Sequence, residues 1–290
     1  GPRARDPREP LQRGCGLPIL RLFLQAKLAY SAHSTWAHSY SINSKPHPQK
    51  SFVQAQLTSY FWSGDTLRSR SVGSTIPTAT LEVPALPARL AADCEREITR
   101  LGLELGDVEP LSLARARTRW PDYRHHVQAV ADWTRAQGLP DLLDSSDVAL
   151  MACRGAHYHH DGTQYGAAAF CNLFLSEDKG LDLHFPAIGL RMPLRRGTVV
   201  VFDTGQPHAV IPRHSSGFDP AGFTAGQSDT QLFLTWELPI EDTHVARVLQ
   251  VCFDTDPATA AQLTEGQIRR NGIPTAVCPE SGQWRTIEKR

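Results

Sequence analysis

The sequence predicts a mainly β protein with a single barrel preceded by two helices, and three observations carry that expectation. Between residues 148 and 238, apolar or alternating runs recur at strand length: 148–153, 167–175, 181–185, 197–202 and 231–238. Turn-forming residues such as Ser176-Glu177-Asp178-Lys179-Gly180 separate them. Two stretches with helical spacing precede this region, one opening at Pro87 and one just after Pro121. Finally, His159 and Asp161 stand near the start of the β-rich region and His208 follows its strongest β run, Val199-Val200-Val201-Phe202.

Taken in order, residues 1–50 read as a poorly structured or loosely packed N-terminal segment. A short amphipathic helix is expected over 17–32, and a Ser-, His- and Pro-rich loop carries His33, His38 and His47. A single domain is expected over 51–290. It begins with a strand ending at Tyr60-Phe61-Trp62, before the turn Ser63-Gly64-Asp65. A second strand at 78–83 is stopped by Pro84. Leu90, Cys94, Ile98 and Leu101 then mark one helix face, which ends at Gly102. Residues 111–120 fit either strand or helix. Asp122 can cap the next helix, whose buried side is Val127, Val130, Ala131 and Trp133; Gly138 and Pro140 end it. Trp120 and Trp133 read as packing residues.

The barrel core is expected over about 148–238. The all-apolar run Val148-Ala149-Leu150-Met151-Ala152-Cys153 fits a strand buried on both faces. Residues 190–194 lead to the turn Arg195-Arg196-Gly197, and 214–229 is longer than an ordinary hairpin loop, as a flap over a pocket would be. A C-terminal helix is expected at 257–270, interrupted by Gly266 and ended by Asn271-Gly272.

Composition narrows the function. With 41% hydrophobic residues in 290, the chain can bury a sizeable core. A formal net charge of zero gives no polyanion-binding surface, which disfavours nucleic acid as a partner. The six cysteines, at 15, 94, 153, 171, 252 and 278, form no CxxC pair, so reduced thiols in a cytoplasmic protein are expected. Arg21 and Lys27 interrupt the one apolar stretch that approaches membrane-spanning length. Gly1-Pro2, in place of an initiator Met, reads as the remnant of a cleaved tag.

The chemistry rests on spacing. Side chains at i and i+2 of a strand share a face, so His159 and Asp161 would point together while His160 turns away. A returning strand that brought His208 beside them would give two imidazoles and one carboxylate, a facial set suited to non-haem Fe(II). By parity His157 shares the face of His159, as a supporting or substrate-contacting residue. His184 reads as packing.

Around these residues the sequence resembles the Fe(II)/2-oxoglutarate-dependent dioxygenase superfamily. The likeness is carried by His159-His160-Asp161, the strand-turn-strand from Leu173 to Leu183, Gly197-Thr198-Val199-Val200-Val201-Phe202 and Pro207-His208-Ala209-Val210. It implies a double-stranded β-helix, or jelly roll, braced by the preceding helices. It also implies Fe(II) held by His159, Asp161 and His208, with O2 and 2-oxoglutarate as co-reactants giving succinate, CO2 and a hydroxylated small molecule or amino-acid side chain. In that family a cation on the last barrel strand receives the far carboxylate of the cosubstrate. Residues 231–238 contain none, so Arg213 is the first candidate, then Arg154 and Arg191, with Gln231 or Thr235 adding a hydrogen bond. A cupin-like metal enzyme without 2-oxoglutarate and a non-catalytic jelly-roll binding protein are the competing readings.

Overall fold

Period-two burial along the strands builds two facing sheets. The computed structural model describes residues 56–112, 117–144, 146–223 and 229–287. These belong to one unit spanning 52–290. The expectations placed on residues 1–50, including the helix at 17–32, and on Cys15 lie outside the described residues.

In chain order the elements are β1 (Leu57–Ser63), β2 (Thr66–Ser71), β3 (Thr78–Thr80), α1 (Ala88–Leu101), β4 (Val108–Pro110), α2 (Tyr123–Ala136), β5 (Val148–Cys153) and β6 (Ala156–His159). There follow α3 (Gly162–Tyr165), β7 (Ala168–Phe174), β8 (Leu181–Phe185), β9 (Leu190–Pro193), β10 (Thr198–Asp203), β11 (His208–Pro212) and β12 (Gln231–Pro239). The chain ends with α4 (Thr243–Leu249), α5 (Pro257–Ala260), β13 (Ile268–Arg270), β14 (Ile273–Val277) and β15 (Trp284–Thr286).

A six-stranded sheet in the order β3-β10-β7-β12-β5-β4 faces a four-stranded sheet in the order β6-β11-β8-β9. All pairs are antiparallel, and from β5 to β12 successive strands alternate between the two sheets except at the β8–β9 hairpin, which stays in the small sheet; this is a jelly roll. Between the sheets lies an aromatic core of Phe174, Phe185, Phe202 and Phe233 with Val200, Val210 and Met192. The other face of the large sheet, through Leu173, Val199, Val201, Leu234 and Trp236, packs on Leu90, Cys94 and Val130 of the two helices. The six residues of β10 are buried throughout, because both faces of this strand are covered.

The helices follow the sequence pattern with one difference. α1 ends where Gly102 adopts a left-handed conformation, φ 63°. Asp122 stands at the N-cap of α2 but makes no side-chain cap bond, its φ and ψ of −86° and 7° being unlike the extended conformation a cap needs. The ring of His126 is buried there, with Nδ1 2.7 Å from the Asp122 carbonyl and Nε2 3.0 Å from that of Pro84. Trp120 packs edge-on against Tyr123 and His126.

The C-terminal fifty residues depart most from expectation. The helix expected over 257–270 is one turn, α5, and the chain then extends. Gly266, with φ 76°, bends it so closely past α3 that a Cβ there would lie 2.0 Å from the Thr163 Cα. β13 then pairs with β1 to form a third sheet, β15-β14-β13-β1-β2, and this long-range pairing overrides the loose helical spacing. The expected flap is partly anchored, since Phe218 is buried and its N–H donates to the Glu280 carbonyl at 3.0 Å. Among the described residues no helix is long and apolar enough to cross a membrane.

Candidate metal centre

Two of the three expected ligands are cross-strand partners. His208 opens β11 directly opposite His159, the last residue of β6, so both side chains emerge on one face. Each ring is oriented by a backbone carbonyl: His159 Nδ1 lies 2.7 Å from the carbonyl of His157, and His208 Nδ1 lies 3.0 Å from that of Gln206. An Nδ1–H donated to a carbonyl leaves the Nε2 lone pair free, the arrangement a ligating imidazole uses.

Asp161 arrives differently from the i, i+2 expectation. β6 stops at His159, and Asp161, with φ −92° and ψ 1°, stands at the head of α3. Its N–H donates to the Thr204 carbonyl at 2.8 Å, in the turn between β10 and β11. The turn rather than strand parity therefore aims the carboxylate. Its oxygens lie 3.4 Å from His159 Nε2 and 3.5 Å from His208 Nε2. One donor atom from each of the three falls within 4.8 Å of the others. Neighbouring ligands around an octahedral cation with bonds of roughly 2.0–2.2 Å sit about 3 Å apart, so the set fits one metal ion.

Burial sets the protonation of this cluster. It pulls His208 down to about 4, with the neighbouring His159 adding to the effect. Burial also opposes the charged form of His159, but the hydrogen bond and charge of Asp161 carry that ring above its ordinary value. Burial likewise penalises the Asp161 carboxylate, yet the His159 hydrogen bond and the imidazole charges leave its pKa below the usual range. Near neutral pH the carboxylate is ionised and His208 is neutral, as metal ligation requires.

A layer of residues absent from the sequence expectations holds the ligand-bearing turns. Arg70 of β2 and Asp203 at the end of β10 are fully buried and paired, with Arg70 Nη1 2.5 Å and Nη2 2.9 Å from the two carboxylate oxygens. The same guanidinium donates through Nε and Nη2 to the carbonyl of Gly166, at the end of α3. Asp203 also accepts the N–H groups of Gly73 and Gly205, both at 2.7 Å. Gln206 donates to the Gly73 carbonyl at 2.6 Å, and the Thr204 hydroxyl lies 2.7 Å from the Tyr165 carbonyl. The turn carrying His208 and the short helix carrying Asp161 are thereby tied to one hairpin. Asp203-Thr204-Gly205 is readable in sequence as a turn, but nothing there marks a partner 133 residues away.

Aromatic rings wall the cluster. Phe202 and Phe185 stand 4.9 Å and 5.8 Å from the His208 ring, and Phe170 packs between Phe202 and Tyr165. The His157 ring stacks on Phe218 at 3.7 Å, so His157 acts on the site through its carbonyl. His160 is drawn inward rather than exposed: its Nδ1 is buried without a hydrogen-bond partner, and burial lowers its pKa. His184 meets the Tyr158 hydroxyl at 2.6 Å.

The expected clamp cations are not brought to this place. Arg213 forks onto Asp178 and donates to Asp182. Arg191 donates to Asp182 and to the carbonyls of Pro212, Arg213 and Ser215. Arg154 donates to the Leu103 carbonyl. Asp182 alternates along β8 with the core residues Leu181 and Leu183, so the Arg191 and Arg213 ion pairs lie on the outer face of the small sheet. Gln231 is fully buried and neighbours Cys153 across the sheet.

No family model and no curated protein matches this sequence. Among solved structures, the chain is similar to a prolyl-4-hydroxylase from Pseudomonas putida, with 21% identity, TM-score 0.34 and 57% of this chain and 92% of that one covered. It is also similar to the viral collagen prolyl hydroxylase of Paramecium Bursaria Chlorella virus-1 in its 2-oxoglutarate complex, with 11% identity, TM-score 0.36 and coverages of 58% and 96%. A third is the non-heme alpha-ketoglutarate-dependent carbocyclase SnoK of nogalamycin biosynthesis, with 11% identity, TM-score 0.33 and coverages of 66% and 87%.

Proposed function

We propose that this protein is a non-haem Fe(II) oxygenase of the 2-oxo-acid-dependent type, hydroxylating a small molecule or an amino-acid side chain. The observation that carries the reading is the facial set of His159, Asp161 and His208 at one end of a jelly roll. Both agree with the core that the sequence resemblance implies. Two imidazole nitrogens and one carboxylate on one face leave three positions open, as an oxygenase needs for a bidentate co-ligand and O2.

His159, Asp161 and His208 would hold the metal. Iron bound there supplies the activation of O2 that converts an aliphatic C–H to C–OH, coupled to decarboxylation of a 2-oxo acid. The chain's own part is positional. The His157 and Gln206 carbonyls fix both ring orientations, and the Thr204 carbonyl and the α3 turn fix Asp161. Phe185 and Phe202 exclude water from one side of the cluster. The same open face would serve a metal enzyme that takes no 2-oxo acid, and the outward pairing of Arg191 and Arg213 favours this second reading.

The test is Fe(II)-dependent CO2 release from 2-oxo acids in the presence of O2, with Fe(II) affinity measured in parallel. Asp161→Ala and His208→Ala are expected to lose metal binding and turnover while keeping the circular dichroism of the parent. Turnover retained by either variant sinks the assignment. Iron binding without release of CO2 from any 2-oxo acid selects the second reading.

A further inference from the structure

The inward face of the large sheet carries polar groups that the metal cluster does not use. Down β12 the inward residues are Glu237, Thr235, Phe233 and Gln231, and their neighbours on β7 are Phe170, Asn172 and Phe174. The layer nearest the metal is Phe202, Phe170 and Glu237. Behind it Asn172 lies opposite Thr235, and behind that Phe174 stacks on Phe233 with ring centroids 5.2 Å apart. Successive layers on one strand face are about 7 Å apart. A co-ligand of a few carbons reaching inward from the metal thus meets the Asn172–Thr235 pair before the phenylalanine stack.

Three atoms along this face are buried without a hydrogen-bond partner: Asn172 Oδ1, Gln231 Oε1 and Gln231 Nε2. Asn172 is 8% exposed and Gln231 not at all. Unpaired buried polar atoms are uncommon enough in native proteins that each asks for a missing partner. No inward position of the eight barrel strands, among the described residues, carries Lys or Arg. Lys179 donates to the Thr230 carbonyl at the strand's entry, and Arg70 is committed to Asp203. The only ionisable group on the inward face of β12 is the carboxyl of Glu237. An ionised carboxylate taken into such a space loses its hydration with no countercharge from the inward positions of these described strands. Amide and hydroxyl groups between phenylalanines instead suit an uncharged tail, whichever way each amide is turned.

We infer that the co-ligand of this metal centre is a 2-oxo acid with an uncharged tail rather than 2-oxoglutarate, its tail lodged against Asn172 and Thr235. The inference rests on the reading of the site as an iron centre that takes a 2-oxo acid, and it narrows which one.

The experiment titrates the Fe(II)-loaded full chain, without O2, with 2-oxoglutarate and with 2-oxopentanoate, which has the same chain length and no second carboxylate. Binding is read from the visible charge-transfer absorbance of the chelate. 2-Oxopentanoate is expected to bind at least as tightly as 2-oxoglutarate. A guanidinium clamp would instead favour 2-oxoglutarate by about tenfold to a hundredfold. A preference of that size overturns the inference and leaves the iron and 2-oxo acid reading standing. No response to either acid, with iron binding shown separately, overturns both. Thr235→Lys is expected to shift the affinity ratio towards 2-oxoglutarate by about tenfold or more. An unchanged ratio in a folded variant would also overturn the inference, and if that variant does not fold, the parent ratio decides.

Discussion

Arg70 and Asp203 are each fully buried, so their charges are tolerated only as a hydrogen-bonded pair. Both carboxylate oxygens and all three guanidinium nitrogens are used, with Ser71, Gly73, Gly166 and Gly205 as the backbone partners. Removing one member leaves the other buried and unpaired. Arg70→Met is therefore expected to cost about 3–5 kcal/mol in denaturant unfolding. The double variant Arg70→Met with Asp203→Asn is expected to cost less than the sum of the two single changes. Because the pair ties α3 to the His208 turn, a second readout applies. Co(II) affinity of the folded Arg70→Lys variant should fall, while a purely structural pair would leave it unchanged. Lysine keeps the charge but cannot reproduce the planar fork.

At the scale of elements, two features of the barrel can be tested against close controls. Gly197 and Gly180 both stand at left-handed turns, with φ of 85° and 72°. A Cβ on Gly197 would lie 2.0 Å from the Leu81 carbonyl oxygen, where the chain before β10 accepts and donates backbone bonds, whereas one on Gly180 meets nothing within 4 Å. Gly180→Ala should cost about 1–2 kcal/mol, the ordinary penalty of a left-handed residue. Gly197→Ala should cost clearly more, because backbone must move. The end of the small sheet where β8 begins and β11 finishes offers the second case. Hydrogen bonds from Arg213 hold the Asp178 carboxyl below the usual carboxylate range. A depressed native pKa contributes stability above the unfolded value, about 3.9, that disappears as pH falls through the native one. Through Asp178, Arg213→Ala should thus destabilise by less than about 1 kcal/mol near neutral pH, since that pair is partly exposed and the buried Asp182 keeps Arg191 as a partner, and this difference should shrink below about pH 4. The same variant should leave the 2-oxo acid requirement unchanged, which a Michaelis constant would show.

For the whole molecule, thiol chemistry reports how the layers are closed. Cys94, Cys153, Cys171 and Cys278 are buried and Cys252 is exposed, and none of these five is disulfide-bonded. Burial pushes the Cys94 thiol up to about 11 and that of Cys153 to about 12, and raises that of Cys171 as well. In a Cys15→Ser background, Cys252 should react first with a thiol reagent at pH 8, and the three raised thiols only on unfolding. Rapid labelling of Cys153 or Cys171 in the native protein would contradict the two-sheet packing.

Local periodicity alone determined a good deal: most of the strands from 148 to 238 and the two preceding helices, while the meeting of His159 with His208 was an expectation that the family resemblance carried. Period-two and period-3.6 patterns are properties of neighbouring residues, and a buried face imposes them wherever it forms. Only the tertiary structure decided the rest. Gly266 turned a weak helical pattern into strand pairing with β1, more than two hundred residues earlier in the chain. A turn built by Thr204, rather than strand parity, aimed Asp161, and the outer carboxylates Asp178 and Asp182 captured the arginines expected inside. Those outcomes depend on partners that meet only when the sheets close, and the strength of a hydrogen bond or ion pair depends on the burial which that closure creates.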